Sequence, residues 1–277
     1  HRLEGVVMPS AGLLEGKKGL IMGVANERSI AWIVADAARR NGAELAFTYQ
    51  NQALSRRVRP LAAAAGSRLI LPCDVAQEGD IEEVFKNLSH HWGGIDFVVH
   101  AIAYADRDEL KGRYVDTSRS NSTASLMISC YSFTSVARHA APMANKGASF
   151  LTFTFSGARH VVPSYNVMGV AKAALETSVR YLAMDLGAAG IRVNAISSGP
   201  MRTLSGAAIG SGRAIYRWAR DNSALSRDLA SDDVAGASVY LLSNLSSGVT
   251  GEIHYVDNGN NIIGISPRQD KEEQEVP

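Results

Sequence analysis

From Lys18 onward, short apolar runs alternate with segments whose apolar residues recur at intervals of three and four. Gly19-Leu20-Ile21-Met22-Gly23 has no polar alternation, the pattern of a strand buried on both faces. Across 29–40, Ile30, Ile33, Val34 and Ala37 fall on one helical face, and Asn41-Gly42 supplies the stop. The same rhythm predicts further strands at 44–49, 68–72, 95–101, 148–155, 191–196 and 252–256. It predicts helices at 52–65, 77–91, 119–141, 165–187 and 232–242. The segment 201–227 breaks the alternation: Gly206, Gly210 and Gly212 precede an amphipathic piece with Ile215, Trp218 and Leu225.

Strands that alternate with helices require right-handed crossovers and a parallel sheet covered on both faces. The expected fold is a Rossmann-type doubly wound α/β sheet. No Pro/Ser-rich linker and no repeat divides the chain, so a single domain over 11–266 is expected. An insertion after the sixth strand lies over the carboxyl edge of such a sheet. Residues 201–227 are therefore expected to form a helical substrate-binding lid, with a surface hairpin as the alternative. Residues 1–10 read as an extension ahead of a natural start near Met8, and 267–277 as a charged, disordered tail.

Composition narrows the function classes. Of 277 residues, 46% are hydrophobic and 20% charged, as in a soluble globular protein. A net charge of +1 gives no basic field for nucleic acid. No apolar run approaches the roughly 20 residues that span a bilayer. Cys73 and Cys130 suit a reducing compartment, and a cytoplasmic location is expected. His100, His139 and His160 are too scattered in sequence to suggest a metal.

The chemistry gathers at expected strand ends. After the first strand, Gly23 can make a tight turn, Ala25 and Ser29 allow close backbone approach, and the helix amides from Ile30 can hold a pyrophosphate. The three-glycine fingerprint is absent, so a plain connection is the rival reading. The second strand ends in Tyr49-Gln50-Asn51, with no acid for a ribose diol and no base beside Gln50 for a 2′-phosphate. Gln50 can bond ribose or adenine, and NADH is expected over NADPH. Asp74 and Val75 follow the third strand; the carboxylate can accept an adenine amino group or cap the next helix. Tyr165 and Lys172 are seven residues apart. In a helix that is about 700°, an offset of about 20°, so they share a face. An ammonium there would lower the phenol pKa and hold ribose hydroxyls, while the phenol donates to a substrate oxygen. After the sixth strand, Gly199-Pro200 forces a sharp exit that brings Thr203 to the nicotinamide or pyrophosphate.

These segments together resemble the bacterial NADH-dependent enoyl-acyl carrier protein reductases, divergent members of the short-chain dehydrogenase/reductase superfamily. The likeness runs from about Leu13 to Ile265 and includes His100 to Ala103, 191–203 and 246–257. Its most specific element is Tyr-x6-Lys; typical short-chain dehydrogenases use Tyr-x3-Lys, and position 169 here is glycine. The resemblance implies hydride transfer from NADH to C3 of a trans-2-enoyl thioester during fatty-acid elongation. Tyr165 would stabilise the enolate and Lys172 would hold the cofactor ribose. Gly23, Ala25, Ser29, Ile30, Gln50, Asp74, Val75, Ile102, Lys172 and Thr203 would line the cofactor site. Tyr104, Ala105, Phe155, Tyr165, Met168 and Ile209 would flank the acyl chain.

Many members of the family carry a second tyrosine where this chain has Phe155; some, including mycobacterial ones, have phenylalanine. The resemblance also implies a homotetramer, for which the small-residue faces at Ala171, Ala173, Ala174 and Ala183 offer a two-fold contact. An acidic acyl carrier protein would deliver the substrate, and Arg213, Arg217 and Arg220 recur on one helical face as its dock. Two alternatives stay open: another NAD(P)H-dependent carbonyl or 3-ketoacyl reductase, and a weakly catalytic nucleotide-binding paralogue. The polar run Asn121 to Ser125 has no explanation in the sequence pattern.

Overall fold

The structure is a computed structural model that describes residues 12–203 and 212–265. The expected extension at 1–10, the tail at 267–277 and the middle of the expected lid lie outside the described residues. Seven parallel strands form one sheet in the order β3-β2-β1-β4-β5-β6-β7. These are β1 (Lys18–Met22), β2 (Glu44–Tyr49), β3 (Leu69–Pro72), β4 (Ile95–His100), β5 (Ala144–Thr154), β6 (Arg192–Ser198) and β7 (Ile253–Val256). The order reverses between β1 and β4, and the carboxyl ends of these two strands open a crevice for a ligand.

Helices cover both faces. Helices α1 (Ile30–Arg40) and α2 (Gln52–Ala64) share one core with Phe47, Phe97 and Leu151. Helix α3 (Glu78–Trp92) packs on the other side with Phe133 and Phe150. Central strands buried on both faces need apolar residues at every position, which is why the short runs carried the signal. The strand forecast for 148–155 begins earlier, at Ala144, because its first residues pair with β4 across an irregularity between Ile95 and Phe97.

The helix expected at 119–141 is not continuous. It comprises α5 (Arg119–Leu126), a wider π turn at Met127–Tyr131 and α6 (Ser132–Ala140); a one-turn α4 (Arg107–Leu110) precedes it. The helix expected at 165–187 is α7 (Val167–Gly187), so Tyr165 stands ahead of it rather than within it. Helices α8 (Gly212–Asn222) and α9 (Ser231–Leu242) follow β6. Of the four alanines forecast as an inter-subunit face, three turn inward: Ala171 and Ala183 are buried, and Ala174 packs against the core. The outward face of α7 presents Val170, Tyr181 and Met184 instead.

Candidate active site

The carboxyl ends of β1, β4, β5 and β6 open into one cavity of about 720 Å³. Gly23, Ala25, Ser29, Ile30 and Ile102 line it on the β1 side, with Thr203 after β6. Tyr104, Ala105, Phe155, Tyr165, Met168 and Lys172 line the rest. The first turn has the shape a dinucleotide needs. Gly23 has φ +102°, and a Cβ there would lie 2.1 Å from the carbonyl oxygen of Ala101, so only glycine fits. Helix α1 starts at Ser29 with no side-chain cap and no acid in its first turn, which leaves its positive end open to an anion. Ser29 Oγ turns to Asn26 O at 2.5 Å and accepts from Ala25 N at 3.3 Å.

Tyr165 is held by a strained turn. Its neighbours Ser164 (φ 61°) and Asn166 (φ 40°) are two of three non-glycine residues with positive φ among those described. The helical-face argument for Tyr165 and Lys172 therefore does not apply, because α7 begins at Val167. The turn 162–168, closed by Tyr165 N to Val162 O and Met168 N to Tyr165 O, brings the phenol to the cavity instead. Its ring meets Phe155 edge-on, with centroids 5.1 Å apart.

The electrostatics correct a second expectation. Burial, reinforced by Glu176, raises the Tyr165 pKa. A lowered phenol pKa from Lys172 is not what this arrangement produces. Lys172 is itself buried and donates a 2.7 Å hydrogen bond to Phe153 O. Burial pulls its pKa down to about 8, against the raising influence of Cys130 and Glu176. Glu176, one turn further along α7 and 4% exposed, accepts from Thr154 Oγ1 at 2.9 Å, and its other oxygen lies 3.7 Å from Arg159 Nε. His100 is buried between Thr152 and Ser132, and burial with the nearby Lys172 charge pulls it down to about 3, so it stays neutral.

The polar face of α5 now has a cause. Asn121 Oδ1 accepts from Asp106 N at 2.9 Å and from Ser125 Oγ at 3.2 Å, while its Nδ2 donates to Glu109 Oε2 at 3.0 Å. Ser129, inside the π turn, accepts from Tyr104 N at 2.9 Å and donates to Tyr104 O at 3.1 Å. Asn121 on α5 and Ser129 in the π turn thus bond the backbone of the loop after β4, which carries Tyr104 and Ala105. A wider turn at a functional site is a common use of π geometry.

The other forecast residues fall as follows. Gln50 Nε2 reaches Asp74 Oδ1 at 3.4 Å, so the two meet at the end of β2 and β3, away from the main cavity's lining. Asp74 does not cap the next helix; Gln77 is its first flanking residue, and Asp74 Oδ1 accepts from Ala76 N. Val75 packs against the core beside α3. Ile209 and the side chain of Arg213 lie outside the described residues. Of the expected lid, Ile215 and Tyr216 line the cavity, and the Tyr216 hydroxyl bonds Met201 O. Trp218 and Leu225 are exposed. Sequence reasoning missed Asn166, Leu110, Tyr216 and Glu176. A buried acid four residues after Lys172 was the one visible signal among them, since a carboxylate on an otherwise apolar helix face needs a partner.

Residues 23–261 match the family model described as Enoyl-(Acyl carrier protein) reductase. A curated relative from Rhizobium meliloti (strain 1021), Enoyl-[acyl-carrier-protein] reductase [NADH] 2, is 56% identical over 92% of this chain and 95% of its own. Enoyl-[acyl-carrier-protein] reductase [NADH] FabI from Aquifex aeolicus (strain VF5) is 43% identical over 96% of this chain and 98% of its own. A crystal structure of the reductase from Anaplasma phagocytophilum in complex with NAD superposes with a TM-score of 0.89 at 50% identity, covering 95% of this chain and 98% of that one. The chain belongs to the enoyl-(acyl carrier protein) reductase family.

Proposed function

We propose that this protein reduces the C2–C3 double bond of trans-2-enoyl thioesters carried by acyl carrier protein, using NADH, in fatty-acid synthesis. One observation carries the reading: Tyr165, Lys172, the open α1 terminus and an apolar slot of Phe155, Met168 and Leu110 meet in a single cavity. The relatives' names and the NAD complex point the same way.

A dinucleotide held in this cavity would supply the hydride. As the electron pair arrives at C3, the π electrons move toward the thioester carbonyl, and the enolate then collapses as C2 takes a proton supplied from solvent. Tyr165, kept protonated by burial, donates a hydrogen bond to the developing enolate oxygen. Lys172, anchored on Phe153 O, would offer its remaining protons to the ribose hydroxyls of the dinucleotide. Apolar walls exclude water and strengthen both bonds. Gln50 and Asp74 would hold the adenine end, Thr203 the nicotinamide side. No base adjoins Gln50 to pair a 2′-phosphate, which favours NADH over NADPH.

Helix α8 would act as the lid, with Ile215 and Tyr216 closing on the acyl chain and Ile209 completing it. Arg213, Arg217 and Arg220 would dock the acidic carrier, Arg217 and Arg220 being exposed. The exposed Val170, Tyr181 and Met184 would pack on a second copy within a homotetramer. No described helix is long and apolar enough to cross a membrane, and a cytoplasmic site of action fits two buried free cysteines.

The test is NADH oxidation with crotonyl-coenzyme A by the parent, Tyr165→Phe and Lys172→Ala. Turnover that falls about a hundredfold or more in both variants supports the reading. A parent that binds NADH but oxidises none with any enoyl thioester overturns it. Acetoacetyl-coenzyme A in parallel separates it from ketoacyl reduction.

A further inference from the structure

Asn166 is at the centre of an arrangement that the reaction above does not use. Its backbone sits at φ 40°, ψ −121°, a region open to glycine and strained for any residue with a Cβ. Glycine would adopt it freely. An asparagine held there implies that its side chain does something that offsets the strain.

That side chain points at the acyl wall. Asn166 Nδ2 donates toward three backbone carbonyls: Gly112 O at 2.8 Å, Leu110 O at 3.2 Å and Glu109 O at 3.3 Å. These are the last carbonyls of α4 and the turn after it, groups that a one-turn helix cannot satisfy internally. The same segment supplies Leu110 and Arg107 to the cavity lining. On its other side, Glu109 takes Ser118 and Asn121, so the segment is fixed from both directions. Asn166 is also joined directly to Tyr165, and its carbonyl accepts from Gly169 N at 2.9 Å in the first turn of α7. One residue thus bonds the acyl wall with its side chain and shapes the Tyr165 turn with its backbone.

We propose that Asn166 is a positioning residue that locks the 109–112 wall of the acyl pocket onto the strained turn presenting the Tyr165 hydroxyl. It couples the fit of the acyl chain to the placement of the hydrogen-bond donor. A chain that fills the slot against Leu110 presses on a wall tied, through one amide, to the phenol that must meet its carbonyl. The inference rests on Tyr165 being the group that bonds that carbonyl.

Two substitutions separate the donors from the strain. Asn166→Asp keeps the shape and removes the N–H donors, facing a carboxylate to the same carbonyls. Asn166→Gly also removes them and relieves the backbone. Each is assayed with crotonyl- and trans-2-dodecenoyl-coenzyme A, with NADH affinity by fluorescence and thermal midpoint alongside. Both variants are expected to bind NADH within about twofold of the parent, to lose about tenfold in kcat, and to show a dodecenoyl-to-crotonyl ratio of kcat/KM lowered about tenfold from the parent's. An Asn166→Gly protein with parental kcat and chain-length preference overturns the proposal, since a purely structural cap would move only the midpoint. Tyr165→Phe is run beside them. If it keeps full turnover, the role given to Tyr165 fails; if it loses turnover while Asn166→Gly does not, only the positioning role fails.

Discussion

The ammonium of Lys172 donates a 2.7 Å hydrogen bond to the carbonyl oxygen of Phe153, the next-to-last residue of β5. The bond ties α7 to the sheet edge and fixes the one buried cation in the described part of the cavity. It does not repay the loss of water, since the pKa still drops from 10.5 to about 8. A base whose pKa is lower in the folded than in the unfolded chain costs stability while both states are protonated. The unfolded chain binds more protons between those two values, so stability rises with pH across that window. The full cost below pH 8 is about 3 kcal/mol. Lys172→Met removes the titrating group. Thermal midpoints of the apo protein measured from pH 8 to 10 should rise by a few degrees in the parent relative to this variant. Parallel curves would show that Lys172 titrates alike in both states.

The same group should shape the pH dependence of rate. Tyr165 stays protonated at working pH because burial and Glu176 both raise its pKa, so it contributes no limb near neutrality. Lys172 does: kcat/KM should fall as pH rises through about 8, where the free enzyme loses the charge proposed to hold the ribose. A bound anionic dinucleotide favours the charged lysine, so the corresponding limb in kcat belongs at higher pH. Lys172→Arg should abolish the limb near 8 in kcat/KM. Retention of that limb in the arginine variant would assign it elsewhere.

The loop after β4 depends on Asn121. Asn121→Ala would strand Asp106 N and remove one donor from Glu109, groups now bonded at 2.9 and 3.0 Å. Losing these bonds loosens the loop and should lower the thermal midpoint by a few degrees. Because the loop carries Tyr104 and Ala105, KM for the enoyl thioester should rise more than Kd for NADH. Calorimetry and steady-state kinetics on the one variant check both, and an unchanged midpoint would contradict the account.

Much of this was legible in the sequence because parallel strands buried on both faces leave unbroken apolar runs, and the turns after them hold the chemistry. Gly23, Ser29, Tyr165 and Lys172 were readable on that basis, Phe155 and Met168 only through the family resemblance, and all six line the cavity. The reasons for their placement were less legible. Tyr165, Met168 and Lys172 fit a helical period, yet Tyr165 sits in a turn whose positive φ values fall on serine and asparagine, residues that announce no such conformation. The π turn at Met127–Tyr131 inserts a residue without any compositional mark. The polar Asn121–Ser125 run was visible but unexplained, because its partners belong to a loop fifteen residues upstream.

Gly169 shows why the spacing here is x6 rather than x3. A Cβ at 169 would lie 2.6 Å from Gly157 O, and the Tyr165 ring is 3.8 Å away. Gly157 is itself wedged against that ring, since a Cβ on it would lie 2.4 Å from Tyr165 Cδ1. The first turn of α7 thus packs backbone to backbone against the 156–158 turn, leaving no room for any side chain three residues after Asn166. A lysine at the position typical of short-chain dehydrogenases cannot be accommodated, and the cation enters one turn later at Lys172. In an ordinary helix interior, Gly→Ala stabilises by about 0.5–1 kcal/mol. At Gly169 the sign should reverse: the methyl drives off the Gly157 carbonyl and shifts Tyr165. Gly169→Ala is expected to lower the thermal midpoint and cut kcat by about ten- to a hundredfold, with NADH still bound. Gly169→Lys combined with Lys172→Ala should not restore turnover. A Gly169→Ala protein with a raised midpoint and parental kcat would show that the 156–158 turn yields freely, and the steric account of the spacing would be wrong.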